Sequence, residues 1–342
     1  MKHKNWLRYS ILTILILALA AGGTIYYLCF SPISSLTQTT YLYIRPGDSL
    51  DDVCTRLSQQ AQANSLTGFR WLSTFYNYDK HIRSGRYAIK PDDTAFRLVR
   101  RLSTGQQTPV NLIIPSVRTM EKLASAVSRR IMLDSATVAS ALTDSATCAR
   151  LGYTRQNIAC LFIPNTYEVY WDMNLEQFLT RMVKEKDRFW NEERRQKAQA
   201  IGLTPEEVVT LASIVDEETA KNDEKPIIAG LYINRLKRGM LLQADPTVKF
   251  ACGDFSLQRI LHKHLATDSP YNTYIYAGLP PGPIRIPSIA SIESVLNYTR
   301  HNYLYMCAKE DFSGRHNFAA TLREHQNNAL RYQRELNRRK IY

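Results

Sequence analysis

The feature that most constrains this chain is an uncharged run of about twenty residues near the N-terminus, Ile11 to Phe30. A helix of that length, rising ~1.5 Å per residue, crosses the hydrocarbon core of a bilayer. The short flank before the run carries Lys2, Lys4 and Arg8 and no acid, and positive flanks favour the cytoplasmic side. We therefore predict a cytoplasmic stub and single-pass anchor in residues 1–30 of a protein of the cytoplasmic (inner) membrane. The rest of the chain would lie outside, in the periplasm.

A cleaved signal peptide is the alternative interpretation of this run. Ala18, Leu19 and Ala20 resemble a small-residue cleavage site. The apolar residues continue beyond that point, from Ile25 to Leu28, and this favours the anchor. Under either interpretation the remaining residues leave the cytoplasm.

The charge balance restricts the partners of the exported part. The sequence has 44 Lys and Arg against 31 Asp and Glu, a formal net charge of +13. Such a balance favours polyanions: nucleic acid, an anionic membrane surface or a carboxylate-rich polymer. Because the compartment lies outside the cytoplasm, nucleic acid is not an expected partner.

The six cysteines give no sign of a metal or redox motif, since none forms a C-x-x-C pair. Cys29 falls in the membrane run, which leaves an odd number outside. Cys148 and Cys160 are the closest pair in sequence. They either form a disulfide in an oxidising compartment or remain buried free thiols.

Residues 31–107 are predicted to form a polar linker and a small α/β module. A Pro-Gly turn is followed by Asp48 and Ser49, either of which can cap a helix. The predicted elements are a strand (41–44), two helices (50–61 and 68–76) and a second strand (84–89). This order, with its Pro-Gly-Asp-Ser-Leu opening, resembles the LysM glycan-binding fold. Another small α+β domain would show the same pattern.

The remainder, residues 108–342, is predicted to form a larger mixed α+β domain. Hydrophobic periodicity indicates several further elements. These are helices over 94–102, 119–131, 175–200 and 322–340, and a strand over 110–114. The fold class predicted for the whole chain is α+β, with an N-terminal transmembrane helix, the small module and the larger domain.

The segment 204–220 is the clearest candidate for chemistry. Thr204 is a good N-cap, Pro205 suits the first helical position and Glu207 completes a capping box. At ~100° per residue, the apolar residues of this helix share one broad face. Glu217 is predicted on the opposite, polar side, together with Thr210 and Ser213.

Glu218 is predicted to point toward the side that the helix buries. An apolar setting raises the pKa of a carboxyl group, as a general acid working near neutral pH requires. An ion pair with Arg235 is the alternative, purely structural interpretation. Asp216 points ~160° away from Glu218 on the same helix. This helix alone therefore does not supply the facing carboxylate pair of a hydrolytic glycosidase.

Several motifs of this sequence, in order and at matching spacing, resemble the endolytic murein transglycosylases of the MltG (YceG-like) family. The resemblance covers essentially the whole chain. The motifs are 211–219 (LASIVDEET), 233–236 (INRL), 239–248 (GMLLQADPTV), 271–274 (YNTY), 278–284 (GLPPGPI) and 316–318 (HNF).

The resemblance implies a lyase, a lytic transglycosylase of cell-wall biogenesis. Such an enzyme cleaves the MurNAc–GlcNAc β-1,4 bond within peptidoglycan strands and leaves 1,6-anhydro-MurNAc ends. In the Glu-x-Glu-Thr pattern of the family the second Glu is catalytic, and it matches Glu218. This sequence departs from the pattern at the first acidic position, which is Asp216. The family needs no cofactor, so none is expected, and a metal site at His262 and His264 is not expected either.

The other motifs imply substrate-binding residues and partners. Gln243, Asp245 and Thr247 are predicted to lie on a loop that holds sugar hydroxyls, although Asp-Pro is also an ordinary turn. The tyrosines of the YNTY motif offer stacking faces, although tyrosines are as often core residues. Penicillin-binding proteins and other wall synthases are implied as partners only by the family. The full predicted set is Asp216, Asn234, Arg235, Gln243, Asp245, Thr247, Tyr271, Asn272, Tyr274 and His316.

Two other functions fit the same sequence. One is a non-catalytic glycan-binding scaffold, in which the LysM-like module is the active part. The other is a conventional wall hydrolase, which needs a second carboxylate, and Asp245 is the best candidate. A hydrolase would leave a reducing sugar in place of an anhydro end.

Overall fold

A computed structural model describes residues 2–63, 66–257 and 259–339 of the chain. They form two compact units. The first comprises Met1–Leu112, Arg130–Met132 and Glu168–Met173, and the second comprises Ile113–Arg129, Leu133–Tyr167 and Asn174–Tyr342. The described residues contain helices and three two-stranded sheets, which confirms the predicted α+β class.

The first unit contains the predicted strand–helix–helix–strand module. Strands β1 and β2 pair antiparallel, with Leu42 opposite Tyr87, and a short 3₁₀ turn lies between α3 and β2. The elements are α1 (Lys2–Phe30), β1 (Thr40–Ile44), α2 (Leu50–Ala61), α3 (Thr67–Phe75), β2 (Gly85–Ile89) and α4 (Ala95–Thr104).

Local capping chemistry fixes the helices of this module. The Ser49 side chain caps α2 in a capping box with Asp52, and Thr94 caps α4. Helices α2, α3 and α4 contribute their apolar faces to one core, which also contains Leu42 and Ile44 of β1. The helices therefore cover one face of the two-stranded sheet.

Helix α1 includes one segment, Trp6–Phe30, that is long and apolar enough to cross a membrane, and its most apolar 18 residues have a mean hydropathy of 2.1. Its side chains are exposed over most of this length. At its C-terminal end, however, Cys29 belongs to the core of the module. The following residues, predicted as a polar linker, are held by isolated bridges from Pro32 to Thr94 and from Ser34 to Ala63.

The second unit is mostly helical and is built around α10. Strands β3 (Val110–Ile114) and β4 (Asn165–Val169) pair with each other, and each contributes residues to both units. The helices are α5 (Met120–Ser128), α6 (Ser135–Thr143), α7 (Ser145–Arg150), α8 (Leu175–Phe189), α9 (Glu192–Ile201), α10 (Pro205–Glu218), α11 (Lys225–Lys237), α12 (Asp245–Cys252), α13 (His262–Leu265), α14 (Ile289–Leu296) and α15 (Leu322–Arg338). The last two strands, β5 (Tyr305–Ala308) and β6 (His316–Ala319), pair antiparallel.

The prediction of one long helix over 175–200 is wrong. The chain forms α8 and α9, separated at Trp190 and Asn191. Trp190 leaves the helical conformation and is buried, and Asn191 caps α9 by accepting a hydrogen bond from the Arg194 N–H. Burial of the indole and a new N-cap together end one helix and begin the next.

Helix α10 is buried around its whole circumference between Val208 and Val215. The prediction that Thr210 and Ser213 lie on a separate, polar side of the helix is therefore wrong, because both are buried. Both hydroxyls donate to carbonyls of their own helix, and Ser213 also accepts the Ile284 N–H at 3.0 Å. Because these polar groups are satisfied, they are buried at little cost.

All six cysteines are free thiols. Cys148 and Cys160 are both buried and are not bonded to each other. Burial raises the pKa of the Cys160 thiol, so it stays protonated. Of the two alternatives for this pair, the structure has the buried thiols.

Candidate active site

Glu218 is the last residue of α10, and its partly buried side chain faces a cavity of about 290 Å³. Tyr232 of α11 donates a hydrogen bond from its hydroxyl to Glu218 Oε1 at 2.6 Å. The ring of Tyr232 is almost fully buried, so this contact fixes the carboxyl group. The cavity is lined by Glu218, Leu231, Tyr232, Arg235, Gln243, Asp245, Tyr274, Tyr305, Met306, Cys307, Ala308, His316 and His325.

The surroundings of Glu218 shift its pKa into the neutral range. Burial is the largest effect and raises the pKa from 4.5 to about 7, although the hydrogen bond from Tyr232 acts in the opposite direction. The negative charges of Asp245 and Glu217 add to the increase, and Lys249 opposes it. Near neutral pH the group is therefore present as both acid and carboxylate, and it can give up or accept a proton.

Arg235 holds one wall of the cavity. Its guanidinium donates to the Leu242 carbonyl and to Gln243 Oε1, both at 2.9 Å. Gln243 has a φ of +52°, which is rare for a residue with a side chain and is typical of constrained functional loops. The ion pairs found in the described residues do not include one between Arg235 and Glu218, the structural alternative considered for this acid.

Asp245 and Tyr274 form a second polar pair in the cavity. The Tyr274 hydroxyl donates to Asp245 Oδ1 at 2.6 Å. The prediction that Asp245 and Thr247 lie on a loop is wrong, because Asp245 begins α12, with Pro246 in the first turn. Proline suits that position since its missing N–H has no partner there.

His316, on β6, is the remaining predicted residue that lines the cavity. Its backbone N–H donates to Glu224 Oε1 at 3.0 Å, and its Nδ1 lies 3.3 Å from Glu224 Oε2. Glu224 is buried. The imidazole is therefore held from behind by a carboxylate.

Four of the predicted substrate-binding residues do not line the cavity. Asn234 and Asn272 donate their amides to backbone carbonyls of neighbouring segments. Thr247 is fully buried and donates to the Ala244 carbonyl. The Tyr271 hydroxyl donates to a backbone carbonyl, and its ring packs on Phe250. These contacts shape the walls that carry the residues of the cavity.

Asp216 also lies outside the cavity, in a buried ion pair with Lys225 at 2.7 Å. Ser288 donates to its carboxylate through both its N–H and its hydroxyl, and Ser291 donates through its hydroxyl. Burial acts to raise the pKa of Asp216, but these hydrogen bonds outweigh it and lower the pKa to about 2. Asp216 therefore ties the end of α10 to α11 and α14.

Glu217 is held by two arginines. The Arg118 guanidinium donates to both carboxylate oxygens at 2.7 and 2.6 Å, and Arg285 donates to Oε1 at 2.9 Å. Bidentate pairs of this kind fix orientation as well as charge. The residues on the N-terminal side of Glu218 are thus immobilised.

Glu218 and Asp245 also line a second, larger cavity of about 860 Å³. The two carboxyl groups therefore lie where both cavities meet. Lys249 and Arg259 place positive charge along the second cavity, and Tyr332 contributes an aromatic ring. A polymer could occupy both spaces, with a bond beside Glu218. In the described residues, no group of three His, Cys, Asp or Glu side chains is placed to hold a metal ion.

Sequence reasoning missed Tyr232 and His325. Tyr232 precedes Arg235 by three positions on α11, so both side chains lie on the same face of that helix. This spacing was a usable signal, since Arg235 was already a candidate. His325 comes from α15, which hydrophobic periodicity predicted as a helix without indicating a site residue on it.

Comparison with known proteins gives concordant matches. The model of a family described as the YceG-like family matches residues 42–331. A protein of Bacillus subtilis named endolytic murein transglycosylase is 37% identical over 154 residues, which are 45% of this chain and 42% of that protein. A protein of the same name from Streptococcus pneumoniae is 26% identical over 295 residues, covering 78% of this chain and 53% of that protein.

A solved structure is also similar. The crystal structure of a YceG-like protein from Listeria monocytogenes is 28% identical, with a TM-score of 0.55. The structural match covers 85% of this chain and 99% of the Listeria chain. The chain spans about half the length of the curated relatives that it matches.

Proposed function

Because this chain belongs to the YceG-like family, we propose that it is a membrane-anchored endolytic murein transglycosylase. It would cleave MurNAc–GlcNAc β-1,4 bonds within nascent peptidoglycan strands, leave 1,6-anhydro-MurNAc ends and so end strand elongation. Glu218 would act as the single general acid and base.

The observation that carries this proposal is the position of Glu218. It lies at the meeting point of two cavities, and burial raises its pKa to about 7. A strand that occupied both cavities would pass beside this carboxyl group. That arrangement suits cleavage inside a chain and a proton transfer near neutral pH.

The chemistry requires only one such group. The protonated Glu218 gives its proton to the glycosidic oxygen, and the bond from that oxygen to C1 of MurNAc breaks. The 6-hydroxyl of the same MurNAc then attacks C1, and the carboxylate accepts the hydroxyl proton. Glu218 returns to its acid form without consuming water, and the product carries a 1,6-anhydro ring.

The other residues of the cavity would bind the sugar. Arg235, Gln243, Asp245, Tyr274 and His316 present donors, acceptors and a ring to the space beside Glu218. The contacts of Asp216 suit a positioning role. Asn234, Thr247, Tyr271 and Asn272, also predicted from the sequence, would act through the walls that they hold together.

The remaining parts of the chain would bring the active site to its substrate. We propose that α1 anchors the protein in the cytoplasmic membrane, with the basic flank inside and residues 108–342 outside as the catalytic domain. The antiparallel strand–helix–helix–strand module in residues 31–107 would bind glycan as a LysM-like unit. Penicillin-binding proteins that polymerise nascent strands would lie next to this protein at the membrane.

A hydrolase is the second candidate, and one observation favours it. Asp245 shares both cavities with Glu218, as a second carboxylate for activating water would. The full-length chain, incubated in detergent with un-crosslinked glycan strands, separates the two functions. Mass spectrometry of the ends should show a loss of one water relative to reducing MurNAc. Reducing ends would identify a hydrolase, and binding without cleavage would identify a glycan-binding scaffold.

The hydrogen bond from Tyr232 leads to a first pH prediction. Cleavage needs protonated Glu218, so kcat/KM should fall as the pH rises through about 7. Because this hydrogen bond lowers the pKa of Glu218, Tyr232→Phe should move the decline upward by about one pH unit. The measurement is kcat/KM against pH for both proteins. A decline at unchanged pH would show that Tyr232 does not tune Glu218.

Asp245 leads to the opposite pH prediction. Its negative charge raises the pKa of Glu218, so Asp245→Asn should move the decline in kcat/KM to lower pH. The shift should be smaller than that of Tyr232→Phe, because Asp245 affects this pKa less than the hydrogen bond does. A loss of activity at every pH would instead support Asp245 as the second carboxylate of a hydrolase.

A further inference from the structure

Helix α3 and the residue that caps its C-terminal end, Tyr76, carry large aromatic side chains on an exposed face, which we call the exposed face of α3. Trp71, Phe75 and Tyr76 are 53%, 66% and 47% exposed, whereas Phe69 and Leu72 of the same segment are buried in the module core. Trp71 and Phe75 stack with ring centroids 5.8 Å apart. Exposed aromatic patches of this kind mark an interaction surface.

This surface continues directly into the last turn of α1. The Phe75 ring contacts Tyr76, and Tyr76 contacts Phe96 at 6.3 Å. Phe96 in turn lies 5.4 Å from Phe30, which stacks on Tyr26 at the same distance. An unbroken row of rings therefore joins α3 to α1.

Close packing fixes α3 at this place. A Cβ atom on Gly68 would overlap the Leu28 carbonyl of α1, so only glycine permits this approach of the two helices. Cys29 is buried in the same core as Phe69. The module is thus attached rigidly to the end of α1, and the exposed face of α3 cannot turn away from it.

The length of α1 places these rings at a defined depth. The 25 residues of Trp6–Phe30 extend ~37 Å, whereas the hydrocarbon core is ~30 Å thick. If residues near Trp6 lie at the inner boundary, the last turn reaches the outer boundary between acyl chains and headgroups. Tryptophan and tyrosine concentrate at that depth, because one end of the ring is apolar and the other is polar.

We propose that the exposed aromatic face of α3 lies in the outer interface of the bilayer, so that the module rests on the membrane that α1 crosses. The inference rests on the anchor proposed above. Phospholipid is the expected ligand of this surface, because any other ligand of these rings would have to share the space beside Phe30 with lipid headgroups. A module held in this way sets a fixed orientation of its glycan-binding side above the membrane.

The test uses the full-length chain in vesicles whose phospholipids carry bromine near the headgroup end of the acyl chains, since bromine quenches nearby indoles. Three variants of the protein each keep one of the four tryptophans and have Phe in place of the other three. Trp71 tests the surface and Trp6 tests insertion of α1. Trp171 is the control, because it packs on Tyr43, which alternates with the core residues Leu42 and Ile44 and so lies on the opposite face of the sheet.

We expect Trp71 and Trp6 to lose a comparable share of emission and Trp171 to lose little. Quenching of Trp6 alone would overturn the proposal for α3 but would still support α1 as the membrane anchor. No quenching of Trp6 would reject the anchor itself. Emission of Trp71 that responds to soluble glycan strands and not to brominated lipid would assign the surface to sugar stacking. Photoactivatable phospholipid on the unsubstituted chain gives an independent measurement, with labelling expected in the peptide that contains Trp71 and Phe75.

Discussion

Glu218→Gln should abolish the formation of anhydro ends. Glutamine has nearly the same shape, and its amide oxygen can still accept the hydrogen bond from Tyr232, but it has no proton to give and cannot accept one. General acid–base catalysis contributes ~10²–10⁴-fold. Because Glu218 would serve in both steps, we expect a loss of about 10³-fold or more. The measurement is the rate at which anhydro ends appear by mass spectrometry.

Two controls make this result specific. Glu193→Gln removes a carboxylate from the exposed surface of α9, where it pairs with Lys197, and should leave the rate unchanged. Glu218→Gln should still bind insoluble peptidoglycan as the parent protein does. If Glu218→Gln formed anhydro ends at the wild-type rate, Glu218 would be rejected as the general acid and base. Asp245 would then be the next candidate. Loss of both binding and cleavage would point to damage to the cavity.

Much of the fold follows from short-range chemistry that a sequence displays. The caps at Ser49 and Thr204 lie next to the helices that they start, so both helices were predictable. The break between α8 and α9 was not, because the charges continue on either side of Trp190. What ends α8 is the burial of that indole, which depends on residues far away in sequence.

The candidate site also combines features that the sequence predicts with features that only the tertiary fold creates. The direction of Glu218 toward the interior follows from helical periodicity, and in the structure the residue faces a cavity. The tuning of its pKa does not follow, because Tyr232 comes from the next helix. Glu217 was predicted on the polar side of this helix, but nothing in the sequence indicated that Arg118, almost a hundred residues earlier, holds its carboxylate. Only the tertiary fold brings such partners together.

These contacts explain how Glu218 keeps a raised pKa beside two other acids. Glu218 alone of the three acids at the end of α10 has no cation as a partner among the described ion pairs. Asp216 is neutralised by Lys225 and Glu217 by arginines. The neighbouring charges are thus compensated, which holds the helix end rigid while Glu218 keeps its raised pKa.

Asp216→Ala should therefore cause a large loss of stability. The change leaves the buried Lys225 ammonium without its partner and removes the carboxylate that accepts three hydrogen bonds from Ser288 and Ser291. Removing one member of a buried ion pair costs ~3–5 kcal/mol. For a unit of this size the melting temperature should fall by about 10 °C or more. Emission of Trp190, which is buried in the same unit, can follow the transition.

The control for Asp216→Ala is Asp223→Ala, which removes a largely exposed ion pair with Arg315 and should change stability by less than ~0.5 kcal/mol. Adding Lys225→Met to Asp216→Ala should restore part of the loss, because no unpaired cation then remains buried. Equal melting of Asp216→Ala and Asp223→Ala would contradict the structural role.

The same ion pair predicts how the loss depends on pH. The pKa of Asp216 is lowered from 3.8 to about 2 in the folded protein, so its contribution is fully present above pH 4 and is lost as the pH falls toward 2. That shift corresponds to about 2 kcal/mol. The stability difference between the parent protein and Asp216→Ala should therefore narrow by roughly this amount on acidification. A difference independent of pH over this interval would mean that packing around the side chain, and not its charge, holds the end of α10.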